Sequence, residues 1–431
     1  MTNNTKTLKS VSLYGEEEVD LVIENDLITQ ILPSGTSDKG EVINASGLIA
    51  LPGLVDLHCH LREPGSEDAE TVLTASRAAA LGGFTCVFAM PNTKPVADNA
   101  GVVEQVKHLG DEAGLVQVQP IGAVSINQSG NELAELGAMA QSAAQVRIFS
   151  DDGNCVSDPL LMRRALEYVK AFNGVIAQHA QDPGLTKNSQ MNEGSVSATL
   201  GLRGWPAIAE ESIIARDCLI AEFVDSRYHV LHVTTARGAQ IIKEAKERGV
   251  KVTAEVTPHH LLLTEDLIEG YSPVYKVNPP LRTKRDVLAL QEALASGVID
   301  CVATDHAPHS EENKDCEWDQ AAFGMLGLET ALSVLIQTMI KTKKISWRIL
   351  AERMSLSPAK IAGLNDQGQP IAVGSYANLV LVDPNAEWTV KPENLASKSQ
   401  NTPYQGLTLP GRVVHTIYRG KFTVKNSQVQ A

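Results

Sequence analysis

The chain has 431 residues, with 37 basic against 51 acidic side chains and a formal net charge of −14. Its length is ample for a buried core, and the negative balance disfavours a nucleic-acid duplex or an anionic membrane surface as partner. No run approaches the roughly 20 apolar residues that span a bilayer, and the opening MTNNTKTLKSVSLYGEEE has no apolar core of signal-peptide length, so a cytoplasmic protein is expected.

The elements then follow in chain order. Residues 1–50 alternate apolar and polar in short pieces (VDLVIEND, ITQIL, GLIALPG), a pattern of half-buried strands. From there to about Leu364, β-rich runs alternate with helical patterns. The runs are Leu54 to His58, Thr85 to Pro91, Val116 to Val124, Val146 to Ser150, Val175 to His179, Tyr228 to Thr234, Lys251 to Thr257 and Asp300 to Thr304. Eight strands separated by helices predict an α/β fold, a (β/α)8 barrel over residues 51–365. Helix signals agree: Ser157, Asp158 and Pro159 start one helix that stops at Gly174, and Ala236 to Arg248 ends at Gly249. Strand patterns return in ANLVLVDP, EWTV and GRVVHTIYRGKFTV, which predicts a small β-sandwich domain built from residues 1–50 and 366–431. The six cysteines (Cys59, Cys86, Cys155, Cys218, Cys301 and Cys316) form no C-x-x-C pair and are expected to be free thiols.

Function in such a barrel gathers at the C-terminal ends of the strands. His58 and His60, in GLVDLHCHLREPG, share one strand parity and so point the same way, while Cys59 between them faces the other side. Asp151 and Asp152 end the fourth strand, His179 the fifth and Asp305 the eighth, with His232 near the end of the sixth. Four histidines and two or three aspartates on one rim point to a metal site. Arg62, just beyond His60, offers a planar fork for a carboxylate, the alternative being a surface salt bridge to Glu63 or Glu67. His108, His229 and His415 read as structural histidines, His259 and His260 as packing residues or neighbours of the ligands, and His306 has the wrong parity to join Asp305 in the pocket.

DLHCHLREPG, MPNT, FSDDG, TAEVTPHH, VNPPLR and TDHAPH, taken in order with the His179 and His232 strand ends, resemble the amidohydrolase superfamily, and within it the type I dihydroorotases of bacteria. The resemblance covers nearly the whole chain, including SPAKIAGL, ANLVLVDP and NTPYQG near its end. It implies two divalent metal ions, with His58 and His60 on the first, His179 and His232 on the second, a carboxylate between them, and Asp305 also counted among the metal-binding residues, close to the first metal. Many relatives use a carboxylated lysine as the bridge. Here Asp151-Asp152-Gly153 stands instead, and the resemblance puts the bridge on Asp152, a choice that strand parity alone leaves open. Zn2+ suits the ligand types, and cobalt, manganese or iron would also accept them.

The resemblance further implies a small-molecule substrate and the reversible cyclisation of N-carbamoyl-L-aspartate to L-dihydroorotate in pyrimidine synthesis. A metal-bridged hydroxide would attack, with Asp305, close to the first metal, acting as general base and then general acid. Arg62, Asn92 and His309 would bind the substrate carboxylate, and Asn278 with the backbone of Phe323 and Gly324 the ring edge. Relatives commonly have proline before the Phe-Gly pair, whereas this chain has Ala322. Hydantoinases and allantoinases share the barrel and histidine pattern but typically carry the bridging lysine, and some dihydroorotase-like chains serve aspartate transcarbamoylase without catalysis. A homodimer and a contact with the transcarbamoylase stay open as partners. The charged stretch 310–322 reads either as a lid or as a solvated connection.

Overall fold

A computed structural model describes residues 5–430. Eight parallel strands form the barrel: β1 Leu54–Cys59, β2 Phe84–Ala89, β3 Gln117–Pro120, β4 Ile148–Phe149, β5 Val175–Gln178, β6 Tyr228–Val230, β7 Val252–Val256 and β8 Cys301–Val302. All residues of β1 and β2 are buried, as expected for parallel strands covered by helices. Ladders join the strands into two arcs, β1 to β3 and β4 to β8. Single bridges close the two seams, Gly122 to Phe149 and Cys59 to His306. Asp56 stitches the second seam from the side: its carboxylate accepts from Thr304 N at 3.0 Å and Thr304 Oγ1 at 2.5 Å.

Apart from β1, which runs one residue past its pattern to Cys59, the strands stop earlier than their sequence patterns. The run to Val124 leaves the ladder at Pro120, the run to Thr234 at Val230, and the run to Thr304 at Val302. Rim residues beyond these points turn out of extended geometry. His232 has φ 28° and Asp305 φ 47°, left-handed values that a non-glycine residue holds at a cost of order 1–3 kcal/mol.

The crossover helices follow their caps. Asp158 accepts from Leu161 N ahead of Pro159–Val169, which closes through a 3-10 turn at Lys170–Phe172. Thr235 caps Ala236–Glu247 through Gly238 N.

Nine strands from the two chain ends form the small β-sandwich domain, linked in one continuous ladder. Ile49–Pro52 joins the halves, pairing parallel to Thr5–Leu13 and antiparallel to Leu379–Thr389. A bulge between Leu8 and Val11, with Ser10 at φ 56°, bends the first strand so that Glu41–Asn44 pairs with its start and Ile49 with its end. On the N-terminal side the sheet reaches Pro52; residues 1–4 and 431, part of the expected sandwich, lie outside the described residues. Sheet and barrel share one apolar core, in which Leu21, Leu381 and Val413 belong to the same cluster as Ala78 and Phe84. Among the described residues no helix is long and apolar enough to cross a membrane.

Candidate metal centre and active site

Six rim residues converge. Asp152 Oδ1 lies 3.4 Å from His58 Nε2, 3.2 Å from His179 Nδ1 and 3.4 Å from His232 Nε2, and Oδ2 lies 3.3 Å from His60 Nε2. Asp305 Oδ1 is 3.0 Å from His60 Nε2 and 3.4 Å from His58 Nε2. All six are buried. Two overlapping groups have ligand-type atoms close enough to hold an ion: His58, His60 and Asp152, and Asp152, His179 and His232.

The outward nitrogens show what the inward ones offer. His58 Nδ1 is 2.7 Å from Glu255 Oε1, His60 Nδ1 is 3.0 Å from Asn92 Oδ1, and His179 Nε2 is 2.7 Å from Gln181 Oε1. Each of these oxygens accepts, so the outer nitrogen carries the proton and the inner one presents a lone pair. His58 Nε2 is buried and makes no hydrogen bond. Three inward lone pairs around a carboxylate repel one another unless a cation sits among them, so the residues present fit metal binding.

The charges agree. Burial opposes ionisation throughout the cluster, yet the surrounding imidazoles hold Asp152 well below the usual carboxylate range, and Asp305 is lowered with it. Against the same burial, Asp152 and Asp305 hold His58 well above the ordinary imidazole value, and Asp152 raises His179, so at the inner nitrogens a proton and a metal cation compete for the same lone pair. The pocket favours positive charge.

Asp151 turns away from this centre. It accepts from Val124 N at 2.9 Å, Ser125 N at 3.0 Å and the Ser125 hydroxyl, tying the fourth strand end to the loop after the third. Gly153, at φ 85°, completes the turn that lets Asp152 face inward. Cys59 donates to Asp56, and all six cysteines are free. His306 faces Glu70 at 3.4 Å, and His260 bonds Thr257 Oγ1 and Pro279 O. His259 is buried with an unpartnered Nε2, which burial suits by pulling the ring down to about 4.

Arg62 sits beside the cluster with φ 65° and its Nε donates to Pro308 O at 3.0 Å. The salt bridge to Glu63 or Glu67 does not form: Glu63 accepts from Val72 N and Glu67 from Gly65 N. Among the described residues no carboxylate pairs with this guanidinium. Burial lowers it only to about 10, so it keeps its charge at neutral pH. His309 Nε2 lies 3.3 Å from Arg62 Nη2 and 2.7 Å from Phe323 O. Burial and the neighbouring Arg62 push His309 down to about 3, leaving a neutral ring whose Nε2–H donates to Phe323.

The remaining residues expected to hold substrate are partly engaged within the chain. Asn278 Nδ2 donates to Gln181 Oε1 at 3.3 Å, while its Oδ1 is a buried acceptor without a partner. Gly324 N donates to Lys276 O, and Gly324 O accepts from Lys314 Nζ and Asn401. The expected ring contacts there therefore compete with internal bonds. Ala322 N donates to Asn313 O at 2.9 Å, a bond that a proline at this position could not make. Lys314 Nζ also donates to Lys276 O and Ala322 O, which clamps the 310–322 stretch onto the barrel. Beyond His309 opens a cleft of about 480 Å³ lined by Glu311 and Lys314 on one side and Lys398 and Asn401 on the other.

Two participants escape sequence reasoning. Glu255 is a lone acid within the fully apolar-looking end of β7, and Gln181 lies past β5 with no motif around it. A charged residue at a buried strand position was the available signal for the first.

A parallel barrel bearing imidazoles and carboxylates at its C-terminal rim, flanked by a sheet domain from both chain ends, defines the amidohydrolase class. L-Hydantoinase (dihydropyrimidinase) from Arthrobacter aurescens superposes with a TM-score of 0.88 at 25% identity, covering 99% of this chain and 97% of that one. Residues 47–237 match the family described as dihydro-orotase-like. The dihydroorotase of Streptomyces coelicolor is 59% identical over 99% of this chain and 100% of its own, and that of Leifsonia xyli subsp. xyli 58% identical over 100% and 98%. The chain belongs to the dihydroorotase family.

Proposed function

We propose that the chain catalyses the reversible cyclisation of N-carbamoyl-L-aspartate to L-dihydroorotate, the dihydroorotase step of pyrimidine synthesis. The observation that carries the choice of substrate is Arg62, a charged guanidinium beside the imidazole cluster with which no carboxylate pairs directly among the described residues. A substrate carboxylate fills that need through two parallel hydrogen bonds, and an uncharged hydantoin does not.

Two divalent ions, Zn2+ being the first choice for these ligands, would be held by His58, His60 and Asp152 and by Asp152, His179 and His232. When bound, they supply a water acidified toward neutral pH and polarisation of the scissile carbonyl.

The chain's own residues do the rest. Arg62, with the Asn92 amide and the His309 ring beside it, anchors the substrate carboxylate and so sets where the ring carbonyl lies. Asn92 keeps its Oδ1 on His60 and offers its NH2 group. Asn278 Oδ1, buried without a donor, receives a ring N–H. Asp305, held ionised, takes the proton of the attacking water and returns it to the leaving amide nitrogen, serving as base and then acid within one turnover. In the direction of synthesis the same carboxylate first takes a proton from the carbamoyl nitrogen.

The test is an assay of purified, metal-replete protein on L-dihydroorotate and on hydantoin. Hydrolysis of dihydroorotate with little action on hydantoin is expected. Activity confined to hydantoin would overturn the proposal.

A further inference from the structure

Behind His58 lies a second, fully buried group. Glu255 Oε1 accepts from His58 Nδ1 at 2.7 Å, and its Oε2 lies 3.1 Å from His229 Nε2. His229 Nδ1 in turn meets Thr253 Oγ1 at 2.8 Å. Glu255 is 0% and His229 1% exposed, so neither is held there by solvent. His229, Glu255 and Cys301 also bring ligand-type atoms together. They do not make a third ion site, because both carboxylate oxygens and both ring nitrogens already have partners.

We propose that Glu255 and His229 are positioning residues for the metal centre: the carboxylate fixes His58 with its lone pair inward, and His229 fixes the carboxylate. This rests on the assignment of His58 as a ligand. The other ligands with an outer contact, His60 and His179, are held by the neutral amides of Asn92 and Gln181. His58 alone among these has an ionised partner, which raises imidazole basicity more than an amide does and strengthens its bond to a cation. Glu255 Oε1 meets His232 only through its backbone N, at 3.4 Å, and not through its ring, so the pair acts on the His58 ion more than on the other.

The experiment titrates metal-free full-length protein with Co2+ against a chromophoric chelator and records the visible spectrum. His58→Asn first identifies the ion that depends on His58. Glu255→Gln is expected to weaken that ion roughly 10- to 100-fold and alter its absorption band, leaving the other ion as in the wild type. His229→Ala should weaken the same ion several-fold, and His229→Gln, which keeps an N–H toward Glu255, should recover part of the loss. These two variants carry the test if Glu255→Gln does not fold. A core role without positioning would lower thermal stability but leave ion affinity and spectrum unchanged. That result, with His58→Asn losing its ion, overturns the pairing alone; retention of both ions by His58→Asn overturns the ligand assignment beneath it.

Discussion

Asp151 and Asp152 are consecutive residues that face opposite ways. Asp152 looks into four imidazoles at 3.2 to 3.4 Å, whereas Asp151 is spent on the backbone and hydroxyl of the neighbouring loop. Asp152→Ala should lower bound metal to one ion or fewer per chain in elemental analysis. Asp151→Ala should keep metal but lose stability, on the order of 1–3 kcal/mol, because three donors are left unpaired. The reverse pattern would move the bridge to Asp151.

Asp305→Asn removes the proton acceptor while preserving size. Metal content should stay near the wild-type value and kcat should fall roughly 10²- to 10⁴-fold, the usual worth of a positioned acid or base. Normal turnover in this variant would exclude Asp305 from proton transfer.

Arg62→Lys keeps the charge but loses the fork. A loss of about 3 kcal/mol, roughly 100-fold in kcat/KM for dihydroorotate, is expected, with metal content unchanged. Steady-state kinetics checks it. An unchanged kcat/KM would mean that the guanidinium is not the carboxylate anchor.

Burial of His309 and His259 gives each a contribution to the pH dependence of folding with a definite sign. His309 lies at about 3 and His259 at about 4 in the folded chain, against 6.5 for an exposed imidazole. Above pH 6.5 these rings are neutral in both states. Below it the unfolded chain binds protons that the folded chain refuses, so stability declines from pH 6.5 down toward 3, by up to about 1.4 kcal/mol per pH unit for each ring. Urea unfolding at pH 7.5, 6 and 5 should show the wild type losing stability relative to His309→Asn as pH falls, a difference that the opposite contributions of the raised His58 and His179 leave unchanged. Parallel curves would show that His309 is not the source.

Much of the rim was legible because strand parity is a rigid rule. His58 and His60 share a face, and Cys59 and His306 take the other, as the alternation requires. Parity fails where extended geometry ends. Asp151 and Asp152 sit in a turn, and which of them faces inward depends on Gly153 and on the donors from Val124 and Ser125, a loop some 25 residues earlier. The early ends of the strands before His232 and Asp305 were hidden for the same reason, since their left-handed backbone leaves no mark in residue type. Glu255 was hidden differently: one acid in a strand pattern reads as solvent-facing until closure of the barrel brings His58, from a strand that β7 does not pair with, to it. The backbone of Phe323 and Gly324 looked available for a ring, and only the folded chain shows it engaged by His309, Lys276 and Lys314.

The two-arc construction of the barrel gives the metal centre a mechanical meaning. His58 and His60 belong to the three-stranded arc, while Asp152, His179, His232 and Asp305 belong to the five-stranded one, and between the arcs the strand ladder narrows to single bridges, backed by side-chain ties such as those of Asp56 and Asp151. An ion shared by His58, His60 and Asp152 would thus be a rivet across the seams, whereas one held by Asp152, His179 and His232 would lie within a single arc. Loss of the first should let the barrel breathe open along its joints, with faster amide exchange at Cys59, Gly122 and His306, and loss of the second should leave those joints shut.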